Sequence, residues 1–267
     1  MTKKIDIIIA NPAGNITIMV ITPTPRNEYK TTAAKLLNMD FGGEQVEYIL
    51  PYNGEGLPAM EMCGLEFCGN GSRAFAYYRA AKFGDGELME NGCRKLEISV
   101  SGCDYPLTAI VDVSGSDAQV QMPVPVNIVE IDGNTMIDLG GISHMILYDV
   151  PADHKKFDEI RARVYEKYPD TDAFGIMFMD TNSDTMVPVV YVSDVDTTYF
   201  EGSCASGATA ASCARALSEN ALEGTFHYTF KQPAGTLYTT VSKKEGKITD
   251  IQLSGLLELS DIITVDI

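Results

Sequence analysis

EFCGNGSRAFAYYRAAKFG, Glu66–Gly84, sets a cysteine and then Gly-Asn-Gly at the head of a run with helical spacing. The arrangement recurs 136 residues further on, in SCASGATAASCARAL, Ser203–Leu217. Both runs are rich in alanine and bulky apolar residues around their circumference and carry few charges, the pattern of a helix enclosed by other structure. Strand-like segments precede and follow each one. That order predicts an α+β fold of two similar lobes, each a curled, mainly antiparallel sheet holding one central helix.

The wider sequence agrees. Short β-branched segments bounded by Gly, Pro, Asn or Asp are frequent, among them KIDIIIA, ITIMVIT, QVEYILPY, KLEISVSG, PLTAIVDV, MILYDV and MVPVVYV. Helical spacing predicts Glu28–Asn38, Gly71–Phe83, Lys155–Tyr168 and Ser206–Asn220. The prolines of QVQMPVPVN suggest a boundary that divides the chain into residues 1–120, with the first cysteine motif, and 121–267, with the second. The last strand is free to return to the first lobe.

Composition excludes several function classes. The 267 residues are 45% hydrophobic, enough for one large or two ordinary cores. A net charge of −17, spread along the chain, argues against nucleic acid or an anionic membrane as a partner. No apolar run approaches the roughly 20 residues of a membrane span. The start, MTKKIDIIIANPAGN, is too short in apolar residues for a secretory leader, so a cytoplasmic protein is expected. Six cysteines with no CxxC pair indicate neither a disulfide framework nor a metal site.

The question is then why a thiol stands at two helix starts. A helix N-terminus leaves backbone N–H groups unpaired and carries roughly half a positive charge, so it favours anions. A thiol placed there is expected to have its pKa of about 8.5 lowered. Gly69, Gly71 and Gly207 would let a ligand reach the amides without meeting a Cβ, and those amides suit a carboxylate. Two such helices facing one another would make a symmetric acid/base site. Racemising an amino acid removes the α-hydrogen from one face and returns a proton to the other, which one thiolate and one thiol achieve in either direction. The bland alternative is that cysteines are small buried hydrophobes. That reading is kept for Cys63, Cys93, Cys103 and Cys213, which lack the glycine and helix setting.

FCGNGSR and SCASGATA resemble the two cysteine motifs of the diaminopimelate epimerase superfamily, racemases that work without pyridoxal phosphate. NPAGN (Asn11–Asn15), GGEQV (Gly42–Val46), GGISH (Gly140–His144) and QPAG (Gln232–Gly235) are similar to further motifs of that superfamily. The resemblance implies two pseudo-symmetric lobes, each a β-barrel around a central helix. It makes Cys68 and Cys204 the two bases, the amides of Gly69, Asn70, Ala205 and Ser206 the carboxylate site, and Asn15 a substrate contact. No cofactor and no metal are implied, the partner is a small amino-acid substrate, and the likeness allows a homodimer.

Two departures bear on the substrate. Diaminopimelate epimerases carry Asn-x-Asp-Gly-Ser before the first cysteine and Glu-Arg-Gly before the second, for the distal head of a long substrate. Here the segments read AMEMCGLEFC and DTTYFEGSC. The chain is closer to the histidine racemase branch in NP-small-GN, EQV, EFCGN, VSGC, E-x-SC and QP-small-G. Within that branch Glu44 and Glu201 would face the substrate's α-ammonium, a cation that needs anionic partners once buried. Gln45 and Asn70 have side chains suited equally to substrate contact or to capping turns, and His144 is a marginal candidate. The reading that follows is a cofactor-independent amino-acid racemase, closest to histidine racemases. Diaminopimelate epimerase, a proline racemase relative and a non-catalytic amino-acid binding protein of the same fold remain as alternatives.

Overall fold

The computed structural model describes residues 3–169, 171, 173–192 and 197–267, with backbone only at 192 and 197. The fold is mixed α+β, mostly strand, with four α-helices among the described residues. The expected helices form within two residues at each end: α1 (Tyr29–Leu37), α2 (Gly69–Phe83), α3 (His154–Lys167) and α4 (Ala205–Ser218). None is long and apolar enough to cross a membrane. Contacts divide the chain into two compact units, Met1–Gln121 with Ser254–Ile267, and Met122–Leu253.

In the first unit the strand Lys4–Asn11 pairs antiparallel with Thr17–Val20 on one side and with the C-terminal strand Ile263–Asp266 on the other. Thr17–Val20 pairs in parallel with Gln45–Ile49. A parallel pair needs a crossover, and α1 supplies it. Strand alternation sends Val46 and Tyr48 to the α1 side, where they join Ile18, Val20, Ala33 and Leu36 in one core. Tyr48 stacks on Tyr29 of α1, ring centroids 3.7 Å apart and 2° from parallel. The other face carries Gln45 and Glu47, and α2 packs on that side of the sheet.

α2 is buried from Gly69 to Ala80, as its apolar circumference requires. Gly84, at φ 69°, ends it with an N–H turned back to the Ala80 carbonyl, a left-handed position open to glycine. Arg73 is a fully buried cation on this helix. Its Nε donates to the Ala118 carbonyl at 2.8 Å, and its guanidinium also reaches the carbonyls of Gly255 and Leu256. The side chain thereby ties α2 to the segment that brings the C-terminal strand back. Burial lowers its pKa to about 10, high enough to keep the charge at neutral pH.

The second unit uses the same local logic. Ser143–Tyr148 and Ala173–Asp180 pair in parallel, and α3 makes the crossover. Asp153 caps α3 by accepting from the Lys156 N–H at 3.0 Å. Phe157, Ile160 and Val164, at i, i+3 and i+7, pack onto Met145, Leu147, Phe174, Ile176 and Phe178. Alternation turns His144 and Met177 to the opposite face, against α4.

Replacing Arg73 by Met should cost about 3 kcal/mol, because the buried carbonyls of Ala118 and Gly255 lose their donor. Denaturant unfolding checks this; a loss under ~1 kcal/mol would show that the guanidinium does not hold the returning segment.

Candidate functional site

Both cysteines that head the motifs are helix N-caps. Cys68 has extended backbone angles, φ −132° and ψ 114°, and its Sγ accepts from the Gly71 N–H at 3.3 Å. Cys204 has φ −119° and ψ 112°, and its Sγ accepts from the Gly207 N–H at 3.3 Å. A sulfur three residues ahead of an unpaired amide thus fills the place that Ser or Asp usually takes at a helix start. All six cysteines are free thiols.

At both grips a long side chain stands where a Cβ would lie. A Cβ on Gly71 would lie 2.6 Å from Glu47 Oε2, and one on Gly207 would lie 2.1 Å from Met177 Sδ. Gly102, at φ 70°, is tighter still, since its Cβ would meet the backbone nitrogen of Phe67 at 2.1 Å. This glycine of the VSGC segment lets one chain pass against the residue before Cys68.

In the first unit a polar chain ends on Cys68. Glu44 Oε2 accepts from Asn15 Nδ2 at 2.8 Å. Asn15 Oδ1 accepts from Gln45 Nε2 at 2.7 Å, and the same nitrogen donates to Thr17 Oγ1 at 2.7 Å. The Cys68 thiol in turn donates to Gln45 Oε1 at 3.2 Å. An amide oxygen can only accept, so this contact holds Cys68 in its thiol form. The Asn70 side chain turns inward, its Oδ1 accepting from Arg73 at 3.4 Å.

The second unit gathers a different set. Cys204 is buried, with Glu201 close enough to act on its thiol. Gln232 Oε1 accepts from the Cys204 N–H at 2.7 Å, and the Ala234 N–H donates to the Gly202 carbonyl at 2.9 Å, so the QPAG turn fixes the loop that delivers the cysteine. Ser206 Oγ lies 3.5 Å from Cys204 Sγ and 2.8 Å from His144 Nε2. His144 is fully buried, and burial lowers its pKa to about 3, so the ring is neutral.

The thiols depart from the lowered pKa that the helix starts suggest. Burial pushes Cys68 up to about 12 and outweighs the Gly71 N–H bond that favours its thiolate. Cys204 is raised well above the ordinary thiol range, by burial first and the Glu201 charge second. A helix terminus offers about half a charge, whereas loss of hydration acts on a full one. Burial also pushes the Glu44 carboxyl up, and the bond from Asn15 opposes it.

Thus Asn15, Glu44, Gln45, Gly69 and Asn70 belong with Cys68, and Glu201, Ala205 and Ser206 with Cys204. Sequence reasoning treated His144 as marginal and did not single out Gln232 or Glu47. His144 had a local signal. Gly175, a glycine inside the apolar run AFGIMFMD, marks a close approach, and a Cβ there would lie 2.3 Å from His144 Nδ1. No group of His, Cys, Asp and Glu among the described residues could hold a metal ion.

Comparisons with known proteins agree on one class. The family model described as the histidine racemase CntK N-terminal domain matches residues 4–261. A histidine racemase of Fusobacterium nucleatum subsp. nucleatum is 33% identical over 220 residues, covering 78% of this chain and 80% of that protein. One of Staphylococcus aureus is 25% identical over 248 residues, covering 86% of each. Among solved structures, a hydroxyproline epimerase from Agrobacterium vitis with bound trans-4-hydroxy-L-proline aligns with TM-score 0.67 at 13% identity, covering 99% of this chain and 92% of that one. At such identity the likeness is one of fold.

Gly102→Ala should destabilise the protein by at least about 2 kcal/mol, since neither a backbone nitrogen nor a positive φ can yield cheaply. Thermal unfolding of the variant checks this. An unchanged midpoint would mean that the Phe67 segment can shift freely.

Proposed function

The chain belongs to the histidine racemase family and is an amino-acid racemase by class, and we propose that it interconverts the enantiomers of histidine without pyridoxal phosphate, using Cys68 and Cys204 as the two acid/base groups. The observation that carries this reading is the shared N-cap geometry, each sulfur held at 3.3 Å by the third amide of a buried helix. The proposal includes two pseudo-symmetric barrel lobes divided near residue 120, with the last strand returned to the first. It also includes a homodimer, which the family likeness allows.

In this mechanism the amides of Gly69, Asn70, Ala205 and Ser206 hold the substrate carboxylate. Asn15 contacts the substrate, and Glu44 and Glu201 face its ammonium. Gln45, bonded to both Cys68 and Asn15, links the thiol to substrate position. Amides aimed at the carboxylate stabilise negative charge that develops as the α-proton leaves. From a pKa of about 12, ionising Cys68 at neutral pH costs on the order of 7 kcal/mol. The thiolate therefore forms only with help. The substrate's own ammonium supplies it, since a cation brought into a desolvated site favours a nearby anion. Binding and activation of the base are then one event, and an empty site keeps its thiols protonated and unreactive.

On the Cys204 side, Ser206 bridges sulfur and the neutral imidazole of His144, so a hydroxyl stands ready to donate to a thiolate at Cys204. The single-headed substrate follows from AMEMCGLEFC and DTTYFEGSC, which lack the distal-head residues of diaminopimelate epimerases.

In deuterated water the protein should wash deuterium into the α position of histidine as it racemises, and Cys68→Ala and Cys204→Ala should each lose about a thousandfold or more in turnover. Chiral chromatography over a panel of L-amino acids reads substrate choice in the same samples. Full racemisation by either variant would end the two-thiol mechanism; turnover of another amino acid in preference to histidine would end the substrate assignment.

A further inference from the structure

Glu47 is completely buried, and both of its carboxyl oxygens lack a hydrogen-bond partner. Its surroundings are apolar. Strand register sets Met19 and Met62 opposite it on either side. Oε2 lies 2.6 Å from the place of a Cβ on Gly71, and Met62 Sδ and Met60 Cε lie 3.0 and 3.4 Å from that same point. The carboxyl is therefore packed against the first turn of α2, at the residue whose N–H grips the Cys68 sulfur. A buried acid without a partner needs an explanation, and packing gives none, because a methionine would fill the space as well.

We propose that Glu47 is a positioning residue for Cys68: its carboxyl and the thiol share one desolvated compartment that tolerates a single negative charge, so Cys68 ionises only while Glu47 keeps its proton. The inference rests on reading Cys68 as a catalytic thiol. Two acids in one low-dielectric site titrate as a pair, the first anion raising the cost of the second.

The surrounding elements leave Glu47 no other charged partner of consequence. Thr17–Val20 carries no titratable side chain, and on Ala59–Met62 the acid Glu61 is bound by Arg26 and Tyr29. From α2 come the Cys68 thiol at its N-cap and Arg73, whose donors are engaged by Asn70, Ala118, Gly255 and Leu256. Glu44 is bound to Asn15, Gln45 is neutral, and Glu66, which also bears on Cys68, is exposed. Burial holds Glu47 well above the ordinary carboxylate range, and its charge adds to the rise at Cys68. The free enzyme accordingly rests with Cys68 as proton donor, and Glu47 sets the alkaline limit beyond which that thiol cannot take up the base role.

The test needs no turnover, so it is independent of whether histidine is the substrate. In a Cys204→Ser background without ligand, alkylation of Cys68 by iodoacetamide is followed against pH by peptide mass spectrometry, with and without Glu47→Gln. The neutral isostere should lower the alkylation midpoint by about one pH unit or more, roughly a tenfold faster reaction at a given pH below it. A midpoint unchanged in a folded variant overturns the proposal; Glu47→Met, equally uncharged and matched to its neighbours, serves in the same assay if the Gln variant fails to fold.

Stability gives a second readout. The folded state keeps a proton on Glu47 that the unfolded chain releases above the ordinary carboxylate pKa. The parent should therefore lose stability as pH rises from that value toward the raised folded pKa, and Glu47→Gln should reduce this slope, leaving the part that Glu44 and Asp117, whose carboxyls burial also raises, contribute. A slope as steep in Glu47→Gln as in the parent would place the ionising group elsewhere and overturn the shared compartment. If the parent shows no exchange of the α-hydrogen while the Cys68 midpoint still moves, the racemase reading fails and the coupling stands.

Discussion

A sulfur held by the third amide of a buried helix is the contact on which the site depends. It satisfies an N–H that the helix cannot pair, it fixes the rotamer of the cysteine, and it aims the thiol at the space ahead of the helix. It also dictates the composition around it. Gly71 and Gly207 stand where the side chains of Glu47 and Met177 occupy the volume a Cβ would take. Gly102 must lack one so that the chain can pass against Phe67 and hold Cys68 at its helix start.

The same burial that builds this grip raises the cost of charge. Two effects compete at each thiol: the helix end and its amide favour the thiolate, and lost hydration disfavours it. Desolvation prevails at both, holding Cys68 at about 12 and Cys204 well above the ordinary thiol range. Such a site is a poor nucleophile when empty, which protects it from alkylation and oxidation. In the proposed mechanism its reactivity is conditional on a bound cation. A racemase working as proposed would gain from this condition, because the substrate that supplies the ammonium would also be the one whose proton is moved.

The surroundings of the two cysteines differ although their backbone geometry does not. Cys68 donates to an amide oxygen and has a carboxyl packed beneath its first turn, whereas Cys204 faces a hydroxyl backed by a neutral imidazole. Equivalent caps with unlike partners give unlike resting protonation costs, so the two directions of a racemisation need not share one pH dependence.

Much of this was legible in the chain. The Cys-Gly pairing at two apolar helices, the four helix positions and the excess of short strands follow from spacing, propensity and capping chemistry, which are local properties. Asn15, Glu44 and Gln45 were likewise visible as motif residues, though not that they form one chain of hydrogen bonds to Cys68. Glu47 was hidden because strand alternation assigns a glutamate between Val46 and Tyr48 to the face away from their core, and that face is ordinarily solvent. Only the packing of α2 turned it into an interior. The direction of the thiol pKa shift was hidden for the same reason: a sequence can place a cysteine at a helix start, but hydration depends on everything folded around it. The sequence by itself determined where the sulfurs sit along their helices, and tertiary structure decided how much their charge costs, because desolvation is a sum over neighbours that are distant in the chain.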